Sequence, residues 1–242
     1  MLKKIFKHTR EGTLWSALKR VLLNRDAPTR RPPHAQYWVC QQKYMSSFEE
    51  HEAEIMSGNI PERYNRIAKI VPGDTVLELG AGEGVLSITL AQTKRRVFAI
   101  DINPKRHEKA LQLKATWKSL GRNVDNVDFI LDNLMNRLEL LHHVDTVVIV
   151  RLLYHLQEDA DVILKEISKH TRYVVLVGNA DKADLYSKLE QPSKEHSLGA
   201  YLYYATVNGM VSALKNNGYQ ILSVDELGDP IVVGEIDQTK KP

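Results

Sequence analysis

The sequence predicts an α/β fold: a Rossmann-like, seven-stranded, mostly parallel sheet with an antiparallel C-terminal hairpin and an N-terminal helical extension. Apolar strand-like runs alternate with helical segments between residues 75 and 178, as in a parallel sheet. The first run leads into glycines at alternate positions, Gly80, Gly82 and Gly84. Two last strands are joined through a Gly-Asp-Pro turn at residues 228–230, which predicts a hairpin.

Residues 1–33 are predicted to be a basic, amphipathic helical extension with a linker. Gly12 separates two short helices, and Pro-rich residues 24–33 form the linker. The second helix places its apolar side chains on one face, because they follow helical spacing: Leu14, Trp15, Leu18, Val21 and Leu22. Charged residues interrupt the first 20 positions, so the segment does not have the apolar core of a signal peptide.

Helices and strands then follow in a regular order. One helix begins with the S-x-x-E capping pattern of Ser47 and Glu50, and the next begins at Pro61. Strands are predicted at 75–79, 96–101, 127–131, 145–150 and 173–178, and the hairpin strands at 219–224 and 231–236. Helices are predicted at 85–90, 103–120, 135–141, 159–169 and 206–216. Residues 179–203 are predicted to contain no regular element and to form a lid or acceptor pocket, with a surface loop as the alternative.

The composition is that of a globular α/β protein. The chain has 242 residues, 43% of them hydrophobic, and a net charge of +3. Residues 1–31 contain nine Lys or Arg and two acids, so the basic character belongs to this segment and the rest is mildly acidic. Cys40 is the single cysteine, which excludes an intrachain disulfide and predicts a cytoplasmic location.

The glycine turn is predicted to bind a cationic ligand. Its spacing is G-x-G-x-G, with Val85 where a dinucleotide site places its third glycine. Glu78 and Glu83 flank and occupy the turn, whereas a pyrophosphate site avoids acids at a helix N-terminus. S-adenosylmethionine fits these carboxylates because it has a sulfonium and an ammonium group. Asp101 ends the second strand 21 residues after Gly80, where an acid can accept the ribose hydroxyls.

The motifs VLELGAGEG at residues 76–84 and VFAID at residues 97–101 resemble those of class I S-adenosylmethionine-dependent methyltransferases. The resemblance extends over residues 61–237 and defines residues 34–242 as the methyltransferase domain. It implies S-adenosyl-L-methionine as cofactor, with its methionine end on Gly80, Ala81 and Gly82 and its ribose on Asp101 and Ile102. It further implies that Asp132, with Asn133, meets the adenine amino group. A turn or capping role is the alternative for Asp132.

The loop after the fourth strand is predicted to face the transferred methyl group. It reads Arg151-Leu152-Leu153-Tyr154-His155-Leu156, and ligands in open parallel sheets lie beyond the carboxyl ends of the strands. The hypothesis is that His155 acts as general base on an acceptor hydroxyl. The alternative is that His155 caps the next helix or bonds to backbone while Tyr154 packs over the cofactor.

Arg63 and Tyr64 precede the first strand and are predicted to reach the methionine carboxylate as a charge-assisted pair. The alternative is a solvated cation beside a packing aromatic ring. No metal site is predicted, because His142 and His143 are adjacent on a helical segment and the other histidines are scattered.

The basic N-terminal segment has several interpretations. Trp15 and leucines bordered by Lys and Arg are typical of a helix that lies on an anionic membrane surface. Docking on the domain or in an oligomer, a nucleic-acid contact and an organellar presequence are the alternatives. Nucleic acid is the less favoured partner, because basic residues do not continue as a track elsewhere.

A second resemblance concerns the layout of the chain. The order of Glu-Arg-Tyr before the first strand, Tyr-His after the fourth and an insert before the hairpin resembles bacterial methyltransferases of cell-surface polysaccharides, including O-antigen ends. It implies O-methylation of a saccharide or lipid-linked glycan at the inner face of the membrane. The alternatives are a methyltransferase for RNA or protein, a cofactor-binding subunit without turnover, and a nicotinamide oxidoreductase.

Overall fold

A computed structural model of the chain describes residues 47–236, except residues 95, 157–158 and 188–201. The predicted extension over residues 1–33, with its membrane and docking interpretations, lies outside the described residues. Within the described part of the chain, no helix has both the length and the apolar content required to cross a membrane.

Helices and strands alternate as predicted. The helices are α1 (Ser47–Met56), α2 (Glu62–Ile70), α3 (Val85–Ala91), α4 (Pro104–Ser119), α5 (Leu153–Leu156), α6 (Asp159–His170), α7 (Ala180–Ser187) and α8 (Val207–Asn216). The strands are β1 (Thr75–Leu79), β2 (Arg96–Asp101), β3 (Val127–Leu131), β4 (Thr146–Val150), β5 (Tyr173–Val177), β6 (Tyr219–Asp225) and β7 (Ile231–Ile236).

The seven strands form one sheet in the order β3-β2-β1-β4-β5-β7-β6. Strands β1 to β5 are parallel, and β7 pairs antiparallel with both β5 and β6. The predicted fold class and C-terminal hairpin are therefore confirmed. The strand order reverses between β1 and β4, and such a switch point is where open α/β sheets bind ligands.

Helices cover both faces of the sheet because the central strands are apolar on both sides. On one face, β1 and β4 pack against Ile163 and Leu164 of α6 and Met210 of α8. On the other face, Ile67 of α2 and Leu86 of α3 cover the strands.

An outer layer extends this second face. Helix α1 buries Phe48 and Ile55 against α4, and the indole Nε1 of Trp117 in α4 donates a 2.8 Å hydrogen bond to the Ile55 carbonyl oxygen. The region before the first strand is thus part of the same hydrophobic core.

Two predictions of local structure were wrong. Residues 180–187 form helix α7 rather than an irregular segment, because the Asn179 side-chain oxygen accepts the backbone N–H of Lys182 at 3.1 Å and caps the helix. The segment predicted as one helix at residues 135–141 consists of two 3₁₀ turns, Leu134–Asn136 and Leu138–His143.

Gly84 should tolerate a methyl group less well than Gly121. Both have positive φ, +80° and +74°, but a Cβ on Gly84 would lie 2.5 Å from the Phe129 ring, whereas one on Gly121 would meet nothing within 4 Å. We expect Gly84→Ala to lower the unfolding free energy by about 2–5 kcal/mol and Gly121→Ala by about 1–2 kcal/mol. Chemical denaturation measures both; equal losses would show that Phe129 moves aside.

Candidate active site

The glycine turn lies at the carboxyl end of β1, at the switch point. The backbone N–H groups of Gly80 and Ala81 donate to the Ile100 carbonyl oxygen at 2.8 and 3.1 Å. Gly80, Gly82 and Gly84 all have positive φ, which only glycine adopts without strain. A Cβ on Gly80 would lie 2.8 Å from Leu152, so the loop after β4 packs directly on the turn.

Asp101 connects the ends of β1 and β2. Its Oδ2 accepts the Gly82 backbone N–H at 2.8 Å, and its Oδ1 accepts the Asn103 N–H at 2.7 Å. Because each carboxylate oxygen has a second lone pair, these bonds leave acceptor capacity for the two hydroxyls of a ribose. The side chain predicted to hold the ribose is thus fixed beside the glycine turn.

Two exposed apolar residues lie near Asp101 at the carboxyl edge of the sheet. Ile102 is 45% exposed and Leu131 is 47% exposed. Ile102 directly follows β2, and Leu131 is the last residue of the neighbouring strand β3, where it pairs with Asp101. Exposed large apolar side chains at the carboxyl edge of a sheet give a planar base a surface to cover. The acceptor capacity of Asp101 is compatible with an adenosine group, and the predicted contact of Ile102 with the ribose stays a prediction.

Asp132 and Asn133 organise the turn after β3. Asp132 Oδ1 accepts the Asn133 backbone N–H at 2.8 Å and a hydrogen bond from the Asn136 amide, and Oδ2 accepts Arg137 Nε at 3.0 Å. Partial burial would raise the pKa of Asp132, but these hydrogen bonds and the Arg137 charge lower it. The Asn133 side chain accepts the Met135 N–H. Three donors thus already engage the Asp132 carboxylate, and its contact with adenine stays a prediction.

A cavity of about 120 Å³ lies beside the glycine turn. The structure brings together five predicted residues in its wall: Arg63, Glu78, Gly80, Ala81 and Gly82. Tyr64 lies there too, and Arg63 Nη2 donates to its hydroxyl at 2.5 Å. His155, Asp101, Ile102, Asp132 and Asn133 are not among the residues lining this cavity.

Glu78 is the buried acid of this wall. Its side chain is 3% exposed and accepts a hydrogen bond from the Ser87 hydroxyl of α3. Burial raises the pKa of Glu78 to about 8, and the nearby Asp101 charge acts in the same direction, while the Ser87 hydrogen bond opposes both. Glu78 is therefore mainly protonated at neutral pH in the absence of a cation.

Arg106 reaches the turn from the first turn of α4. Its Nε lies 3.6 Å from Glu83 Oε1, and both residues line the cavity. The sequence analysis did not assign Arg106 to the site. The position of Arg106, three residues after the helix-capping Asn103, could have indicated its place in the site. A side chain in the first turn of a helix points back toward the preceding loop.

Arg151, which follows β4, and Asp229 of the hairpin turn form one side of the cavity. Arg151 Nε and Nη2 lie 2.8 and 2.5 Å from Asp229 Oδ2, and Asp229 Oδ1 accepts the Ala180 N–H at 3.1 Å. Arg66 of α2 donates to the carbonyl oxygens of Leu227 and Asp229. These bonds hold the hairpin turn between β6 and β7 against the cavity. The contact of this turn with Arg151 and Arg66 was not predicted from the sequence.

Arg151 also has an unusual backbone. Its φ is +49°, the one positive φ among non-glycine residues in the described chain, and its N–H still bonds to the Val177 carbonyl oxygen at 2.8 Å. A left-handed residue costs about 1–2 kcal/mol, and Arg151 keeps this conformation while its side chain contacts Asp229. The chain therefore turns sharply after β4 and places Leu152 on Gly80.

His155 lies in α5, next to Tyr154. The two ring centroids are 4.2 Å apart, and the Tyr154 hydroxyl accepts the Asn179 side-chain amide at 3.3 Å. Burial lowers the pKa of His155 to about 4, helped by the charges of Lys182 and Arg106. The imidazole is therefore neutral at pH 7 and can accept a hydrogen bond, but it is a weak base.

Among the described residues, no three His, Cys, Asp or Glu side chains come together in a way that could hold a metal ion.

The free energy of unfolding of Glu78→Gln should increase relative to that of the wild type as pH rises. The folded wild-type protein keeps a proton on Glu78 up to about pH 8, while the unfolded chain loses it near pH 4.5, so the stability of the wild type falls over this window by up to about 1.4 kcal/mol per pH unit. The Gln variant lacks this dependence. Urea denaturation between pH 5 and 8 measures the difference; a difference that does not grow with pH would contradict the proposed protonation.

The comparisons with known proteins agree with this geometry. A family model described as "Methyltransferase domain" matches residues 76–173, which include the glycine turn and Asp101. A ribosomal RNA small subunit methyltransferase A from Kineococcus radiotolerans is 30% identical over 101 residues, covering 42% of this chain. That match spans only a third of the length of the relative.

Solved structures share the fold at low identity. Magnesium protoporphyrin IX methyltransferase from Synechocystis, with bound S-adenosylhomocysteine (SAH), is 18% identical; the match covers 84% of this chain and 94% of that one, with a TM-score of 0.53. The N-terminal domain of EvdMO1, determined in the presence of SAH and D-fucose, is 18% identical over 73% of this chain and 82% of that one, with a TM-score of 0.50.

These likenesses concern the fold, and the family match covers the strands that build the cofactor side of the site. The predicted resemblance to class I methyltransferases is confirmed, and so is S-adenosylmethionine as the cofactor that it implies. The chain carries a class I S-adenosylmethionine-dependent methyltransferase domain.

Proposed function

We propose that this chain transfers a methyl group from S-adenosylmethionine to a hydroxyl oxygen of a saccharide, in particular of a lipid-linked glycan. The observation that carries methyl transfer is the glycine-lined cavity with the carboxyl group of Glu78 buried in its wall. The saccharide is supported by the neutral hydrogen-bonding side chains beyond β4, Tyr154, His155 and Asn179. Hydroxyl-rich acceptors are recognised by such neutral groups.

The donor supplies an electrophilic methyl group on a sulfonium. The chain's own residues would hold it: Arg63 for the carboxylate, the glycine turn for the methionine end and Asp101 for the ribose. Glu78 supplies negative charge to a cationic ligand. Because methyl transfer is an in-line displacement, alignment of the reactants is the main contribution of the protein, worth up to about 7–11 kcal/mol in favourable cases.

The acceptor side is set by the turn after β4. The ion pair between Arg151 and Asp229 holds the start of this turn, and Leu152 packs against Gly80 of the glycine turn. A hydroxyl acceptor must lose its proton as the new O–C bond forms. In the proposal the neutral imidazole of His155 accepts a hydrogen bond from this hydroxyl, which orients the oxygen toward the methyl group. The imidazole takes up the proton as the O–C bond forms and then passes it to solvent.

The test of the proposed function is transfer of labelled methyl groups to a panel of acceptors. The panel contains lipid-linked glycans, free saccharides, ribosomal RNA and protein, and the product is identified by mass spectrometry. We expect label on a glycan hydroxyl. Label confined to RNA or protein, or none with any acceptor despite bound cofactor, would overturn the saccharide proposal.

Gly82→Ala provides a variant that should block the cofactor without a steric clash inside the protein. A Cβ on Gly82 would meet only Arg106 Nη1, at 3.9 Å, so the methyl group occupies space beside the cavity. We expect the Kd for S-adenosylmethionine to rise ~10-fold or more, about 1.4 kcal/mol. Gly121→Ala is the matched control, since it introduces left-handed strain far from the cavity; calorimetry should find its Kd unchanged.

Replacing His155 with Gln should lower turnover of a hydroxyl acceptor by ~10²-fold, because the Gln amide can still accept a hydrogen bond but cannot take up the proton of the hydroxyl. The affinity for S-adenosylmethionine should remain within twofold of wild type, since His155 does not line the cavity beside the glycine turn. Steady-state kinetics and calorimetry measure the two quantities. An unchanged rate would remove His155 from the proposed mechanism.

RNA methylation is the second candidate function. The curated relative with 30% identity is a ribosomal RNA methyltransferase, and residues 1–31 are basic. The RNA arm of the acceptor panel decides between the two, and RNA binding through phosphate contacts should weaken steeply with salt.

A further inference from the structure

Glu78 occupies a buried position at which an ionised carboxylate lowers the stability of the folded protein. It lies in the central strand β1, between Ala99 of β2 and Val148 of β4, and is 3% exposed. The Ser87 hydroxyl donates to Oε2. A single neutral hydroxyl offsets only part of the cost of burying a charge.

The other charges of the cavity already have partners in the described structure. Arg106 lies near Glu83, and Arg151 contacts Asp229. The titratable and charged groups around Glu78 come from every neighbouring element: Arg63 and Tyr64 of α2, Glu83 of the turn, Asp101 of β2, Arg106 of α4, Arg151 after β4 and Asp229 of the hairpin. Of these, Asp101 acts on Glu78 with a like charge, which favours a proton on Glu78.

We propose that Glu78 carries a proton in the free protein and releases it to solvent when the cationic methyl donor enters the cavity, so that Glu78 selects ligands by positive charge. This inference rests on the proposed function. The physical reason is that a cation supplies the counter-charge that a buried carboxylate lacks. The pKa of about 8 in the free site agrees with this assignment.

The proposal makes Glu78 a specificity-determining residue for donor over product. S-adenosylmethionine has a positively charged sulfonium, and SAH has a neutral thioether in its place. Loss of the methyl group therefore removes one positive charge from the ligand in the cavity that Glu78 lines. Glu78 then takes up a proton from solvent, and the product loses part of the attraction that held the donor.

Calorimetric titration with S-adenosylmethionine and SAH tests the proposal without turnover. Titrations at pH 6.5, in buffers with different ionisation enthalpies, give the number of protons released. The ligand ammonium keeps its proton there, since an α-amino group has a pKa of about 7.7–8.0. We expect close to one proton released with S-adenosylmethionine, clearly fewer with SAH, and donor affinity that rises about tenfold between pH 6 and 7.

Glu78→Gln should abolish the proton release and most of the preference for donor over SAH, while its amide oxygen still accepts the Ser87 hydrogen bond. Glu83→Gln is the matched control, because it removes another carboxylate of the same cavity, one that lies beside Arg106. It should keep the proton release. If Glu78→Gln does not fold, the buffer dependence of the wild-type protein alone decides.

The possible failures can be distinguished. Tight donor binding without proton release, or proton release that persists in Glu78→Gln, overturns the inference and leaves the proposed function standing. Absence of any binding heat with both ligands overturns the proposed function and the inference together. Equal proton release with donor and SAH would show that the shared ammonium, and not the sulfonium, is recognised, which overturns selection between donor and product.

Discussion

The hydrogen bonds to the Asp101 carboxylate are the interaction on which the site depends. One oxygen holds Gly82 and the other holds Asn103, so one side chain fixes the glycine turn after β1 and the start of the helix after β2. Both loops leave the sheet at its switch point, where the strand ends diverge. The backbone bonds from Gly80 and Ala81 to the Ile100 carbonyl oxygen join the same two strand ends, and the Asp101 carboxylate adds the link from Gly82 to the start of the helix.

In the proposed mechanism, the buried carboxyl group of Glu78 makes the cavity responsive to the charge of its ligand. The three arginines in its wall have polar neighbours of their own, including Tyr64, Glu83 and Asp229. Glu78 is different, because burial leaves it without the solvent that would stabilise its charge. Ligand charge is therefore the variable to which this wall responds most strongly.

Most of the sheet could be predicted from the sequence because buried parallel strands such as β1 and β4 appear as short apolar runs. Helix α7 was missed because its cap, Asn179, follows a strand directly and its sequence has no apolar periodicity. Asp101 and Glu78 could be placed from local spacing. The contact between Arg151 and Asp229 could not, because 78 residues separate them and only the return of β7 beside β5 brings them together.

Helix α1 extends the folding unit beyond the region that the family model matches. Phe48 and Ile55 cover Trp117, whose indole bonds to the Ile55 carbonyl oxygen, although the match begins only at residue 76. A fragment cut to the matched boundaries would uncover this aromatic side chain and lose the hairpin that reaches Arg151. Domain borders drawn from sequence matches alone are therefore too narrow for expressing a stable piece of this protein.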